Sequence, residues 1–259
     1  MKIHSILNQK DDFNKHWQPV YEQSIPENKI LAARKFLQPL YMEINRTRKL
    51  NILDAGCGDG VHASVIEEIN KKNSKIEYCG IDLSMTALKI ARARTIKNKH
   101  FSFQNTDIGR LPFKNCSFDV TFSYGVLAYS NNPTISFGEL SRVTKKDGIV
   151  GIWIFPKIDG FKGFIFNIVR KLCQMTGTTG TRFIANLIVP FLGFLPTSSK
   201  MNLLNSTWGQ CREIVLVNIA PKQLFFLSTS EVEKWFMDNN FEIINMDLEN
   251  PISIWGRKQ

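Results

Sequence analysis

This sequence predicts an α/β fold built on a doubly wound, mostly parallel sheet, and three observations carry that prediction. Short apolar runs ending in an acid alternate with segments of helical periodicity, the pattern of strands joined by crossover helices. The first run, Leu50-Asn51-Ile52-Leu53-Asp54-Ala55, passes directly into Gly56-Cys57-Gly58-Asp59-Gly60 and then into a helix. Two further runs, residues 78–83 and 101–107, close on Asp82 and Asp107, so three successive strands bring an acid to one edge of the sheet. In open α/β sheets that edge, beyond the C-terminal ends of the strands, is where ligands bind.

Each element follows in order. The N-terminal region, residues 1–48, has no place in the sheet and is read as a helical cap; Trp17 and Tyr21 stand four apart there, able to cover a site or simply to pack. After the glycine turn, Val61, Val65 and Ile69 recur every four residues and give a helix one face for the sheet. Ser84 is placed to cap the next helix, whose Ala87, Leu88 and Ala91 face inward. A fourth strand, Phe118-Asp119-Val120-Thr121-Phe122, leads into Ser123-Tyr124-Gly125-Val126-Leu127, and Asn132-Pro133 opens a helix expected to end near Gly148 before a fifth strand.

Residues 156–227 interrupt this alternation. Phe161, Phe164, Ile165, Ile168, Val169 and Leu172 form one apolar stripe at helical spacing. Phe183, Leu187, Ile188, Phe191 and Leu195 form a second, and Gly177-Thr178-Thr179-Gly180 between them suggests a helical hairpin. Neither segment reaches the ~20 apolar residues of a membrane span. The insertion is read as a lid that shapes an acceptor pocket, as a surface resting on a membrane, or as part of the packed core. Residues 228–259 complete the core with a helix and two strands; either Ser228 with Glu231 or Ser230 with Glu233 has capping-box spacing.

Composition narrows the function classes. At 259 residues the chain fits one elaborated domain. Polar residues follow Met1-Lys2-Ile3-His4 early, against a signal peptide, and the five cysteines are odd in number without paired metal spacing, which points to a reduced, cytoplasmic protein with no metal centre. The formal charge of +10 raises the question of a nucleic-acid partner. Yet the cations are scattered near helix ends, as at Lys71-Lys72, Arg92-Arg94 and Lys145-Lys146, with no basic-aromatic run that would stack bases. A solvated face accounts for them, and nucleic acid is disfavoured.

At these residues the chain resembles the class I S-adenosylmethionine-dependent methyltransferases, specifically the broad type 11 group. The run Asp54-Ala55-Gly56-Cys57-Gly58-Asp59-Gly60 matches the family's first motif, Gly80-Ile81-Asp82-Leu83-Ser84 its second, and Thr106-Asp107-Ile108 with Leu111-Pro112-Phe113 its third. The fourth lies at Phe118-Asp119-Val120 with Tyr124-Gly125-Val126-Leu127, and Asp147-Gly148 replaces the family's usual turn before the fifth strand. The resemblance implies a seven-stranded Rossmann-like sheet, with its cofactor-binding core at residues 49–155. It also implies S-adenosylmethionine as cofactor, with Asp54, Gly56 and Gly58 around the methionine part and Asp82 and Leu83 at the ribose. Asp107 and Ile108 would lie at the adenine, and Tyr124 near the methyl group. Tyr124 and Tyr129 are the candidate catalytic residues because they follow the fourth strand, where methyl donor and acceptor should meet; Ala128-Tyr129 stands where relatives often carry paired histidines, which removes an obvious base. His62, in the first turn after the glycines, could face the cofactor or be an ordinary helix residue; His100 precedes its strand, at the wrong edge. The implied acceptor is a small molecule or a lipid or glycan precursor, with a nucleic-acid methyltransferase and a cofactor-binding protein without transferase activity as alternatives.

Overall fold

The computed structural model describes residues 25–46, 49–73, 76–96, 98–157, 160–188, 221, 223–248 and 252–259. In chain order the elements are α1 (Glu27–Phe36), α2 (Gln38–Arg46), β1 (Leu50–Ala55), α3 (Val61–Asn73), β2 (Ile76–Asp82), α4 (Met85–Arg94), β3 (Phe101–Asn105) and β4 (Phe118–Tyr124). A 3-10 turn (Leu127–Tyr129), α5 (Pro133–Val143), β5 (Thr144–Ile154), α6 (Gly160–Ile188), α7 (Thr229–Asp238), β6 (Phe241–Asp247) and β7 (Ile252–Lys258) follow. The chain divides into two compact units at positions 156/157 and 226/227, and α6 belongs to the smaller. Trp17, Tyr21, Cys211 and the distal part of the second apolar stripe lie outside the described residues.

In the larger unit the seven strands form one sheet in the order β3-β2-β1-β4-β5-β7-β6. Strands β1 to β5 are parallel, and β7 runs antiparallel to both β5 and β6. The winding direction reverses between β1 and β4, which opens a crevice at their C-terminal ends. Alternation along the strands sorts the core onto two faces. Leu53 and Ala55 of β1 join Phe137, Leu140 and Val143 of α5 with Val232, Trp235 and Phe236 of α7 on one face. Leu50 and Ile52 join Phe36, Leu37 and Leu40 of the N-terminal helices with Val65 and Ile66 of α3 on the other. Side chains of this size stabilise by about 1.5–3 kcal/mol each when fully buried, so both helical layers are fixed to the sheet.

The helix starts follow their sequence signals. Ala87 N–H donates to Ser84 Oγ at 3.2 Å and Ile135 N–H to Asn132 Oδ1 at 3.1 Å. The reciprocal capping box selects Ser228 with Glu231 rather than Ser230 with Glu233. One boundary differs from expectation: α5 stops at Val143, not near Gly148. Thr144 already pairs with Phe118 in β5, its hydroxyl donates to the Leu140 carbonyl, and Asp147 takes a left-handed φ of 61° within the irregular stretch of the strand that follows.

The smaller unit corrects a second expectation. Instead of a hairpin with an intervening turn, residues 160–188 form one helical run. That run is sharply bent, because Thr181 Oγ1 donates to Cys173 O at 2.9 Å. Eight residues of straight helix would hold those positions about 12 Å apart along the axis. Arg170 fastens Pro221, Leu224 and Phe226 to α6 by donating to the Pro221 and Leu224 carbonyls, with its guanidinium 5.7 Å from the centre of the Phe226 ring.

Candidate cofactor-binding site

The C-terminal edge of the sheet is organised around the glycine turn. Gly56 and Cys57 donate their N–H groups to Ile81 O at 2.8 and 2.9 Å, which hangs the turn from the end of β2. Gly56 has φ +94°, and a Cβ there would lie 2.3 Å from Val126. At Gly60, φ is +83° and a Cβ would lie 2.9 Å from the Ala91 backbone. Neither position can carry a side chain without moving its neighbour, so the turn is held tight between the loop after β4 and α4. Beyond it, α3 presents its first N–H groups and the positive end of its dipole toward the same edge.

Two buried carboxylates occupy that edge. Asp82, the last residue of β2, accepts from Gly58 N–H at 2.9 Å through Oδ2 and from Ser84 N–H at 2.8 Å through Oδ1. Burial pushes its pKa up to about 6, against the pull of the Ser84, Gly58 and Leu83 N–H groups. Asp54, fully buried at the end of β1, accepts from the Tyr78 hydroxyl at 2.6 Å through Oδ2. Its other oxygen has no partner. Burial raises the Asp54 pKa to about 7; the Tyr78 hydrogen bond opposes this and the charge of Asp82 adds to it. An unpaired buried carboxylate oxygen is costly, and a cationic group is the partner that removes the cost. The donor set therefore fits S-adenosylmethionine. Asp54 would offer an acceptor to its ammonium, and each Asp82 oxygen, with one N–H already bound, keeps accepting capacity for a diol.

The next strand supports this arrangement. Asn105 Nδ2 donates to the Asp82 and Leu83 carbonyls at 2.9 and 2.8 Å, and Thr106 N–H reaches Asp82 O at 3.2 Å, so the end of β3 pins the end of β2. Asp107 turns the chain by accepting from Gly109 N–H at 2.8 Å, while the Ile108 side chain is buried in the core. Tyr78 and Asn105 were not singled out in the sequence. Strand alternation put Tyr78 on the same face as Ile52, but its partner Asp54 is 24 residues away and only β-pairing brings them together.

At the end of β4, Tyr124 stacks on Trp153 with ring centres 4.3 Å apart and lies 4.7 Å from His62 and 5.1 Å from Phe36. Burial pushes its hydroxyl up to about 12, further from ionisation than an ordinary phenol, so Tyr124 is a neutral donor at physiological pH. His62 is buried among Phe36, Phe122 and Tyr124, with Nε2 unpartnered and its pKa lowered by burial to about 4. Tyr129 is buried in the 3-10 turn. His100 lies at the opposite edge, with Nδ1 2.9 Å from Glu77. Among the described residues no cluster of three or more ligating side chains is placed to hold a metal ion.

Residues 46–155 match a family of known proteins described as a methyltransferase domain. These residues form a class I S-adenosylmethionine-dependent methyltransferase domain. The sheet order, with its antiparallel β7, is the one typical of that fold. The chain is 30% identical over 136 residues to a malonyl-[acyl-carrier protein] O-methyltransferase of Legionella pneumophila, covering 52% of this chain and 45% of that protein. It is 32% identical over 139 residues to a putative 23S rRNA (guanine-N(1)-)-methyltransferase of Bacillus subtilis, again 52% of this chain and 45% of the relative. The match thus spans less than half the length of these curated relatives. A methyltransferase from Thermotoga maritima shares the fold at TM-score 0.54 and 16% identity, over 97% of this chain and 100% of that one. The [4+2]-cyclase SpnF shares it at TM-score 0.51 and 15% identity, over 81% and 74% of the chains.

Proposed function

We propose that this chain transfers the methyl group of S-adenosylmethionine to a small-molecule acceptor or a lipid or glycan precursor. The observation that carries the reading is the pair of buried carboxylates with raised pKa values, Asp54 and Asp82, beside a tight glycine turn whose Gly58 N–H donates to Asp82. When bound, the cofactor supplies an already activated methyl on a sulfonium. The protein's share is positioning and exclusion of water, which suffices for in-line displacement without a strong base. Asp54 would hold the ammonium, Asp82 with Leu83 the ribose, and Asp107 with Ile108 the adenine. Tyr124, a neutral phenol whose ionisation burial makes still harder, would orient groups at the methyl end by donating a hydrogen bond. Tyr129 remains the other candidate near that end.

A nucleic-acid acceptor is the second reading, favoured by the +10 charge and by the rRNA methyltransferase named among the relatives. The fold that also serves a cyclase makes the reaction itself a matter for experiment. Labelled S-adenosylmethionine incubated separately with total RNA, with acyl-carrier protein and with a lipid and metabolite extract tests the proposal. Label in the extract supports it; label chiefly in RNA, or in none of them despite cofactor binding, overturns it.

A further inference from the structure

The bent helix α6 exposes a row of large apolar side chains along its first limb. Phe161, Phe164, Ile165, Ile168, Leu172 and Met175 are all exposed, Phe161 and Met175 to more than three quarters (77% and 76%). At 100° per residue they fall within an arc of about 100°, the width of a helix's apolar stripe. The opposite side of this limb is occupied within its own unit: Cys173 is buried, Arg170 is tied to the Pro221 and Leu224 carbonyls, and Phe166 packs edge-on against Phe226. The stripe is therefore the outward face.

Charge says what kind of surface it fits. Between Gly160 and Ile188 there are four cations, Lys162, Arg170, Lys171 and Arg182, and no acid. Over residues 157–226 eight lysines and arginines stand against two acids, so this segment carries +6 of the chain's +10. Positions 162 and 171 flank the stripe on its two sides at helical spacing. Bulky aromatic and aliphatic residues in the middle with cations at the margins are the makeup of a helix that lies in the interface of an anionic bilayer. Among the described residues no helix is long and apolar enough to cross one.

We infer that the first limb of α6 docks this protein on an anionic lipid surface, its aromatic stripe entering the headgroup region and its basic flanks meeting the lipid charge. This holds whether or not the methyl acceptor is itself a lipid, and it is read from lipid binding alone, so it can fail while the transferase proposal stands. Flotation of the full chain with vesicles of phosphatidylcholine alone, or of phosphatidylcholine mixed with phosphatidylglycerol, tests it. Binding is expected to the mixed vesicles and to weaken at high salt. Phe164→Glu combined with Ile168→Glu is expected to lower it by about tenfold or more while cofactor affinity stays unchanged. Hydrogen exchange of the unmodified protein gives a second readout, in which residues 160–176 are expected to slow when mixed vesicles are added. Absence of binding to mixed vesicles overturns the inference. So does binding that is undiminished in the folded double variant, or a concentration-dependent dimer that the double substitution breaks, since the stripe would then serve a second copy.

Discussion

The two edges of the sheet treat their acids differently. At the N-terminal edge the acids are matched within the protein. Asp119 accepts from Asn51 N–H and from Lys145 at 2.8 Å each, Glu77 meets Lys49 and His100, and the nearly buried Glu43 is held by Arg257, which also donates to Asp147 O. At the C-terminal edge Asp54 has an oxygen with no partner, Ser123 Oγ and His62 Nε2 are unpaired, and the pKa values of Asp54 and Asp82 are both raised. Among the described residues one edge is completed by the chain's own cations and N–H groups, while the other keeps a buried acceptor that a bound cation would satisfy.

The comparison can be broken first at its satisfied edge. Arg257→Ala removes the guanidinium that meets the nearly buried Glu43 and the Asp147 carbonyl, and is expected to cost about 3 kcal/mol of stability in denaturant unfolding, with no change in cofactor affinity. A matching loss of affinity would mean that the two edges are not independent. Gly56→Ala at the other edge should cost about 2 kcal/mol or more, because it meets Val126 and forces a left-handed residue, and it should also impair cofactor binding.

His62 offers a smaller and pH-dependent contrast. Its folded pKa of about 4 lies below the unfolded value of 6.5, so the unfolded chain takes up a proton that the folded one refuses, and stability is lost as pH falls between those values. Asp54 and Asp82 act in the other direction, since the folded state holds their protons up to about 7 and 6 while the unfolded chain releases them above 3.8. His62→Phe removes only the first contribution. Its stability relative to the parent should be little changed at pH 8 and should rise by up to ~3 kcal/mol toward pH 4. A gain independent of pH would show that His62 is already paired or charged.

Cofactor binding should carry the same signature in milder form. A cationic ligand favours the ionised carboxylates, so binding below pH 7 should release protons, and affinity should weaken by up to about tenfold per pH unit for each group still protonated. Titrations in buffers of different ionisation enthalpy read that release directly; an affinity flat from pH 8 to pH 5 would remove Asp54 and Asp82 from the cation's surroundings.

Much of this edge was legible in the sequence because it rests on local signals. Glycines at 56, 58 and 60, the acids closing successive strands and the caps at Ser84 and Asn132 are all consequences of short-range backbone chemistry. What could not be read depends on pairing across the sheet or on competition between neighbouring elements. The Tyr78–Asp54 hydrogen bond needs β1 and β2 in register. The end of α5 is decided by Thr144 entering β5, although Lys145 and Lys146 continue a passable helical pattern. The glycines at 177 and 180 suggested a turn, and the chain uses that stretch for a sharp bend within one helical run.

The central claim, that the C-terminal edge is completed by S-adenosylmethionine, is tested most directly by calorimetric titration of that cofactor into the native protein and into Asp82→Ala. The native chain is predicted to bind it with one site. The variant, stripped of charge-assisted hydrogen bonds of about 1.5–3 kcal/mol and of the Gly58 anchor, is predicted to bind at least tenfold more weakly while remaining folded. Equal affinity in a folded variant, or a native chain that ignores S-adenosylmethionine and binds a nicotinamide dinucleotide instead, would contradict the account.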